Sequence, residues 1–271
     1  MPRRSSADHE EILGAIDVGT NAVRLELARV LPDGSLETLH TERDPVRPGE
    51  GLFTSGVMKA EVADRLLSTL RRYSALCRRH GARVRAVATS AVREARNRDE
   101  IVRRARREAQ LNLEVVSGKE EARLICLGVL HGSPPLKRSL LLDIGGGSTE
   151  VAHAFGEHAK DLWSIDLGAV RLTEMFKVSG EVPKKQLKLL RRYARDAASE
   201  ALPARLPGRP STALGSSGTI QAVVGYARAE GTGHATSKQL ENAVDELAEM
   251  DSEKRRKRFD PRRADIVVAG A

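Results

Sequence analysis

The chain has 271 residues, enough for two modest domains, and 40% of them are hydrophobic, which excludes wholesale disorder. Only 3% are aromatic, which disfavours a surface that stacks the bases of single-stranded nucleic acid. The net charge of +8 favours polyanionic partners such as phosphorylated small molecules, although arginine on solvated helices explains that charge equally well.

The sequence carries no signal for export or for insertion into a membrane. Its first eleven residues are polar and charged, and we expect them to form a flexible tail at 1–11. No segment approaches the ~20 apolar residues of a membrane span. Cys77 and Cys126 fit no metal-ligand spacing and make no disulfide framework. We therefore expect a cytoplasmic protein that has no contact with membranes.

The first half of the chain is predicted to alternate strands and helices. An apolar run at 12–17, a turn, and alternating residues at 23–27 indicate a β-hairpin. Residues 33–57, rich in glycine, proline and charge, predict a loop with at most one strand. Further along, apolar periodicity predicts helices at 59–80 and 98–110 and strands at 84–88 and 113–116.

The second half repeats this pattern. A strand at 140–143, a turn with three glycines and a returning strand at 148–154 resemble the first hairpin. The other predicted elements are helices at 117–130, 169–178, 183–202, 218–229 and 236–250, and strands at 163–166 and 213–215. This internal repeat predicts two related α/β domains, at 12–124 and 125–271, that face each other across a cleft.

The two repeated turns have the chemistry of a site for phosphate and a divalent cation. Asp17 and Asp143 each end a strand before a glycine turn, and Glu150 lies on the returning strand. Mg²⁺ is usually held by one or two carboxylates together with water and substrate phosphates. The glycines at 145–147, and a third turn at 215–219 before a helix, allow backbone amides to approach an anion. An ordinary turn or a helix cap is the alternative for each.

Two further residues are candidates for catalysis. Ser117 and Glu120 have the spacing of a capping box, which gives Glu120 a structural role. Glu121 points about 100° away around the helix and could deprotonate a water molecule, or it could simply favour the helix dipole. Arg93 directly follows a strand, and arginine suits bidentate phosphate recognition, although any single arginine among 45 basic residues is usually a surface charge.

Together these segments resemble the exopolyphosphatase/guanosine pentaphosphate phosphatase family. The matching stretches are IDVGTNAVRL from Ile16, ATSAVREARN from Ala88, SGKEEARLICLGV from Ser117, LLDIGGGSTEV from Leu141, SIDLGAVRLTEMF from Ser164 and GSSGTI from Gly215. They span nearly the whole chain in the order that the family has.

The resemblance implies an α/β fold with two ribonuclease-H-like domains, as in the actin-like ATPase and sugar kinase superfamily, and an active site between them. It implies Glu121 as the base for the attacking water and gives Arg93 a catalytic role as well. It implies Mg²⁺ near Asp17, Asp143 and Glu150. The residues implied to hold phosphates are Thr20, Asn21, Arg93, Gly145, Gly146, Gly147, Ser148, Ser217, Gly218 and Thr219.

The sequence departs from the family at its C-terminal end. Family members usually continue past the residues at 264–271 with another helix, a strand and a closing helix. We therefore expect a second domain that is trimmed, incomplete, or completed by a partner chain, for which a homodimer is one arrangement.

Several functions stay open on the sequence. The favoured one is an exopolyphosphatase that releases orthophosphate from inorganic polyphosphate. The alternatives are a guanosine pentaphosphate 5'-phosphohydrolase, which would also meet guanosine tetraphosphate, and a weakly active sensor of alarmone or polyphosphate. A sugar-kinase-like phosphotransferase is less favoured. A nucleic-acid-binding module is the weakest hypothesis, because the basic run at 254–258 is more typical of a solvated helix end or loop.

Overall fold

The computed structural model describes residues 11–131, 138–205, 208, 210–228 and 234–271, so nearly all of the tail predicted at 1–11 lies outside the described residues. The described chain is a mixed α/β protein with two sheets, which confirms the predicted fold class. Within the described residues, no helix combines the length and apolar composition needed to cross a bilayer.

The first sheet has the strand order β3-β2-β1-β4-β5. Its strands are β1 (Ile12–Val18), β2 (Val23–Val30), β3 (Leu36–Asp44), β4 (Arg83–Ala88) and β5 (Leu113–Val115). Strand β1 runs antiparallel to β2 and parallel to β4, so the carboxyl ends of β1 and β4 meet at one edge. The helices of this half are α1 (Leu52–Ser55), α2 (Ala60–Arg79), α3 (Ser90–Glu94) and α4 (Arg98–Ala109).

The second sheet has the order β8-β7-β6-β9. Its strands are β6 (Ser139–Ile144), β7 (Thr149–Phe155), β8 (His158–Ile165) and β9 (Thr212–Ser216). The remaining helices are α5 (Gly118–Leu130), α6 (Ala169–Phe176), α7 (Lys184–Ala201), α8 (Ser217–Ala227), α9 (Ser237–Glu249), α10 (Ser252–Arg258), α11 (Pro261–Ala264) and α12 (Val267–Gly270).

The two sheets share the topology that the internal repeat predicts. Strand β6 has an antiparallel neighbour, β7, and a parallel neighbour, β9, as β1 has β2 and β4. Asp17 and Asp143 therefore occupy equivalent positions near the carboxyl ends of β1 and β6. Helix α5 runs unbroken across the predicted boundary between residues 124 and 125, so that boundary stays a prediction.

Each half has its own hydrophobic core. In the first, the apolar stripe of α2 is buried on the sheet, with Leu66, Leu70 and Tyr73 fully covered. These residues recur at the three- and four-residue spacing of one helix face, and each buried side chain contributes about 1.5–3 kcal/mol. The second core lies among α7, α9, α12 and the second sheet.

Two expectations from the sequence need correction. The segment at 33–57 contains β3, the one strand that the prediction allowed, and also the short helix α1, which the sequence did not predict. The basic run at 254–258 ends α10 and is exposed as expected except at Arg255, which is fully buried and donates to the backbone carbonyls of Ser179 and Gly180. This arginine holds α10 against the loop after α6 and is not part of a solvated surface.

Candidate active site

A cavity of about 320 Å³ opens between the two sheets. It is bordered by the turn after β1, the first turns of α5, the triple-glycine turn after β6 and the start of α8. All the predicted site residues except Arg93 and Glu150 line it: Asp17, Thr20, Asn21, Glu121, Asp143, Gly145, Gly146, Gly147, Ser148, Ser217, Gly218 and Thr219. Residues from both halves of the chain are thus brought to one place.

Asp17 and Asp143 both line this cavity, close enough for the charge of one to act on the other. Burial raises the pKa of Asp17, Arg24 at 3.8 Å opposes that rise, and the charge of Asp143 adds to it. Burial likewise raises the pKa of Asp143, while a hydrogen bond donated by the Ser216 hydroxyl and the charge of Arg24 lower it. Two carboxylates that resist ionisation next to each other favour a cation between them.

Two of the three carboxylates predicted to bind Mg²⁺ line the cavity. Among the described residues, no three His, Cys, Asp or Glu side chains form a group that could hold a metal, so Asp17, Asp143 and Glu150 do not make one ligand set. Asp17 and Asp143 alone suit Mg²⁺, which usually completes its shell with water and phosphate. The Asn21 Oδ1 atom is buried without a hydrogen-bond partner among the described residues. Like a carboxylate, this amide oxygen can act as a ligand to a hard cation.

Glu150 is not among the residues that line the cavity. It sits opposite Asp143 in the register of β6 and β7, is buried, and accepts hydrogen bonds from Ser164 Oγ at 2.9 Å and from the Ser148 side chain. Burial, and then the charge of Glu121, raise the pKa of Glu150 to about 8. Glu150 is therefore close to the charges of Glu121 and Asp143, and its role as a metal ligand stays a prediction.

Arg93 also lies outside the cavity lining, and its partner is Glu121. Arg93 Nη1 donates to Glu121 Oε2 at 2.8 Å and to the Val116 carbonyl at 3.1 Å. The two side chains are only 19% and 14% exposed. Burial raises the pKa of Glu121 in spite of the opposing effect of Arg93. A carboxylate of raised pKa is a better proton acceptor, and Arg93 fixes its orientation.

The first turn of α5 separates the two neighbouring glutamates. Ser117 Oγ accepts from the Glu120 amide at 3.2 Å, which confirms the predicted cap. The Glu120 carboxylate does not return to Ser117; it accepts two hydrogen bonds from Arg123, each of 2.7 Å. The capping box is therefore only half formed, because Arg123 one turn later competes for Glu120. Glu121 faces the cavity.

The triple-glycine turn is held from behind by α6. The Ala169 and Val170 amides donate to the Gly145 and Gly146 carbonyls at 3.0 and 2.8 Å. A Cβ atom on Gly147 would lie 2.2 Å from Ser90 Oγ, so glycine is required there by close approach of the first half of the chain. The turn thus forms a bridge between the halves as well as a wall of the cavity.

The third predicted turn begins α8. Ser217 adopts φ 80°, a strained value for a residue with a side chain, and Ser217 Oγ accepts from the Ile220 amide at 3.3 Å. Backbone strain of this kind is concentrated at ligand-binding sites. The helix N-terminus adds favourable partial positive charge for an anion.

Three arginines that the sequence did not single out also line the cavity: Arg24, Arg43 and Arg263. Burial first, and then the charges of Arg43 and Arg24, lower the pKa of Arg263. The guanidinium of Arg263 lies directly over Gly218, where a Cβ atom would be 1.7 Å away. For Arg24, the predicted hairpin places it opposite Asp17, and this pairing could have indicated a place near the site. For Arg263, no local pattern distinguishes it from the many other basic residues.

Residues 29–271 match the model of the Ppx/GppA phosphatase family. The chain belongs to this family. It is 32% identical over 214 residues to exopolyphosphatase 1 of Mycobacterium leprae and 31% identical to that of Mycobacterium bovis, each match covering 78% of this chain. The chain spans 63% and 62% of the lengths of these two relatives.

Solved structures of Ppx/GppA proteins have the same fold. An exopolyphosphatase-like protein is 25% identical with a TM-score of 0.85, the match covering 97% of this chain and 86% of that one. An exopolyphosphatase from Cytophaga hutchinsonii is 27% identical with a TM-score of 0.84, covering 96% and 87%. The Ppx/GppA family member of Aquifex aeolicus is 27% identical with a TM-score of 0.77, covering 96% and 87%.

Proposed function

We propose that this chain hydrolyses the terminal phosphoanhydride bond of inorganic polyphosphate and releases orthophosphate. The supporting observation is the single cavity in which Glu121, held by Arg93, faces glycine turns and arginines suited to phosphate. The names of the mycobacterial relatives point the same way.

In this proposal the terminal phosphate rests on the triple-glycine turn and on the N-terminus of α8. The Glu121 carboxylate accepts a proton from a water molecule whose oxygen attacks the terminal phosphorus. The bond from that phosphorus to the bridging oxygen breaks, and the bridging oxygen leaves on a chain one phosphate shorter. A positioned general base of this kind contributes typically ~10²–10⁴-fold to the rate.

Negative charge has to be neutralised for this reaction, because both water attack and bond cleavage occur among phosphate oxygens. Arg24, Arg43 and Arg263 provide fixed positive charge around the cavity. Asp17 and Asp143 would hold Mg²⁺, which when bound supplies further charge neutralisation and polarises phosphoryl oxygens.

The nature of the cavity wall favours polyphosphate over a guanosine nucleotide. No aromatic side chain is among the described residues that line it, so a guanine base would find no stacking partner in this cavity. The arginines serve either substrate, and the alternatives are a guanosine pentaphosphate 5'-phosphohydrolase and a weakly active sensor. We place the protein in the reducing cytoplasm, consistent with buried and unbridged Cys77 and Cys126.

The test is phosphate release from long polyphosphate and from guanosine pentaphosphate, each with Mg²⁺ and with a chelator. We expect Mg²⁺-dependent release, faster from polyphosphate at equal concentration of chain ends. Faster release from guanosine pentaphosphate would reverse the choice of substrate. Tight binding of either compound without release would support the sensor instead.

A further inference from the structure

Arg171 on α6 joins the two halves of the site. Its Nε donates to the Gly147 carbonyl at 2.6 Å, and its Nη2 donates to Glu94 Oε1 at 2.5 Å. Gly147 belongs to the triple-glycine turn, and Glu94 is the residue after Arg93 on α3. One guanidinium therefore contacts the triple-glycine turn of the second half and α3 of the first half, the helix that carries Arg93.

The surroundings of Arg171 allow this guanidinium little freedom. The residue is 9% exposed, and its guanidinium carbon lies 4.4 Å from the centre of the Phe53 ring. Ser90 Oγ donates to the same Glu94 oxygen at 2.7 Å, so the acceptor is fixed as well. Ser90 is also the residue that a side chain on Gly147 would strike. Ser90, Glu94 and Gly147 therefore lie close together around the Arg171 guanidinium.

We propose that Arg171 is a positioning residue that sets the triple-glycine turn and the α3 helix in one mutual geometry. Through these two contacts it fixes where Gly147 and Arg93 stand relative to each other. A planar fork of donors makes both bonds at once, whereas lysine carries the same charge at a single point and cannot. The expected effect on turnover rests on the proposed phosphohydrolase function.

A general role in holding the halves together would be a different function, and the same helix provides a control for it. Glu174, three residues after Arg171, accepts from the Gly51 amide of the first half at 2.6 Å. It also accepts from the backbone amide of Phe53, and neither Gly147 nor Glu94 is among these partners. Glu174→Ala therefore weakens the contact between the halves without touching the two groups that Arg171 positions.

The kinetic test compares Arg171→Lys, Glu94→Gln, their double variant and Glu174→Ala on long polyphosphate with Mg²⁺. We expect Arg171→Lys to lower kcat about 10–100-fold, since a misplacement near 1 Å can cost ~10²-fold. KM should change less than about threefold, because arginines elsewhere in the cavity bind the chain. Since Arg171 and Glu94 act as one unit, the double variant should be no worse than the more impaired single variant.

A second measurement does not depend on turnover. Hydrogen–deuterium exchange of the folded protein should rise in both 145–148 and 90–94 for Arg171→Lys, and in neither for Glu174→Ala. Thermal unfolding checks that each variant is folded. If Arg171→Lys does not fold, Glu94→Gln provides the same comparison from the other side of the contact.

These measurements separate the two proposals. If the wild-type protein releases phosphate from neither substrate, the proposed function fails, and the exchange data alone decide whether Arg171 positions the turn. Three results would each overturn the positioning role. They are a wild-type kcat in Arg171→Lys, equal effects of Arg171→Lys and Glu174→Ala, and losses of kcat that multiply in the double variant.

Discussion

Glu121→Gln tests the assignment of the base most directly. Glutamine keeps the size of the side chain and an oxygen that can accept from Arg93 Nη1, now 2.8 Å from the carboxylate, but it cannot take a proton from water. We expect kcat to fall about 10²–10⁴-fold, equivalent to about 2.7–5.4 kcal/mol in the activation barrier at 1.36 kcal/mol per factor of ten. KM should change little, since the substitution leaves the triple-glycine turn and the start of α8 unchanged.

The same substitution also affects stability, and that effect has to be separated from the chemistry. Removing one partner of a buried ion pair costs about 3–5 kcal/mol. We expect a smaller loss of about 1–3 kcal/mol, because the hydrogen bond to Arg93 survives and the repulsion from Asp17 and Asp143 is relieved. For a chain of this size each kcal/mol lowers Tm by about 2–4 °C, so we expect Tm to fall by about 2–12 °C.

The assay is phosphate release at 25 °C, with a thermal unfolding curve for each variant. The matched control is Glu120→Gln, because Glu120 is the preceding residue and pairs with Arg123 outside the cavity. Its turnover should stay within about twofold of the wild type, since it makes no contact with the reacting groups. A Glu121→Gln variant with more than a tenth of the wild-type turnover, or an equal loss in Glu120→Gln, would refute the assignment of the base.

Three further predictions concern the metal, the arginines and the glycine turn. Asp143→Asn should raise the Mg²⁺ concentration for half-maximal activity about tenfold; an unchanged titration curve would give Asp143 a purely structural role. Arg263→Gln should raise KM for long polyphosphate about tenfold at low salt and less at high salt, because screening weakens the lost attraction; a salt-independent effect would contradict this. Gly147→Ala should cost at least about 2 kcal/mol of stability, since the new methyl group would overlap Ser90, whereas Gly180→Ala meets nothing within 4 Å and should be neutral in thermal unfolding.

Much of the framework could be predicted from local sequence because its causes are local. The strand, aspartate and glycine turn at Asp17 and at Asp143 depend on a few consecutive residues, and both hairpins form as predicted. The N-cap at Ser117 is equally local, and it separates Glu121 from Glu120 before any tertiary contact is known. The prediction for 33–57 allowed the strand β3 but missed α1, because a helix of four residues is too short to show an apolar periodicity.

The sequence by itself determined the repeated α/β plan and brought most candidate residues into view, because periodicity, turn chemistry and capping act over a few residues. Only the tertiary structure decided which charges meet. It buried Arg255 and Glu150, brought Arg263 into the cavity and joined Arg171 to Glu94, 77 positions apart. A charged side chain takes its role from its burial and its partners, and packing between distant segments sets both.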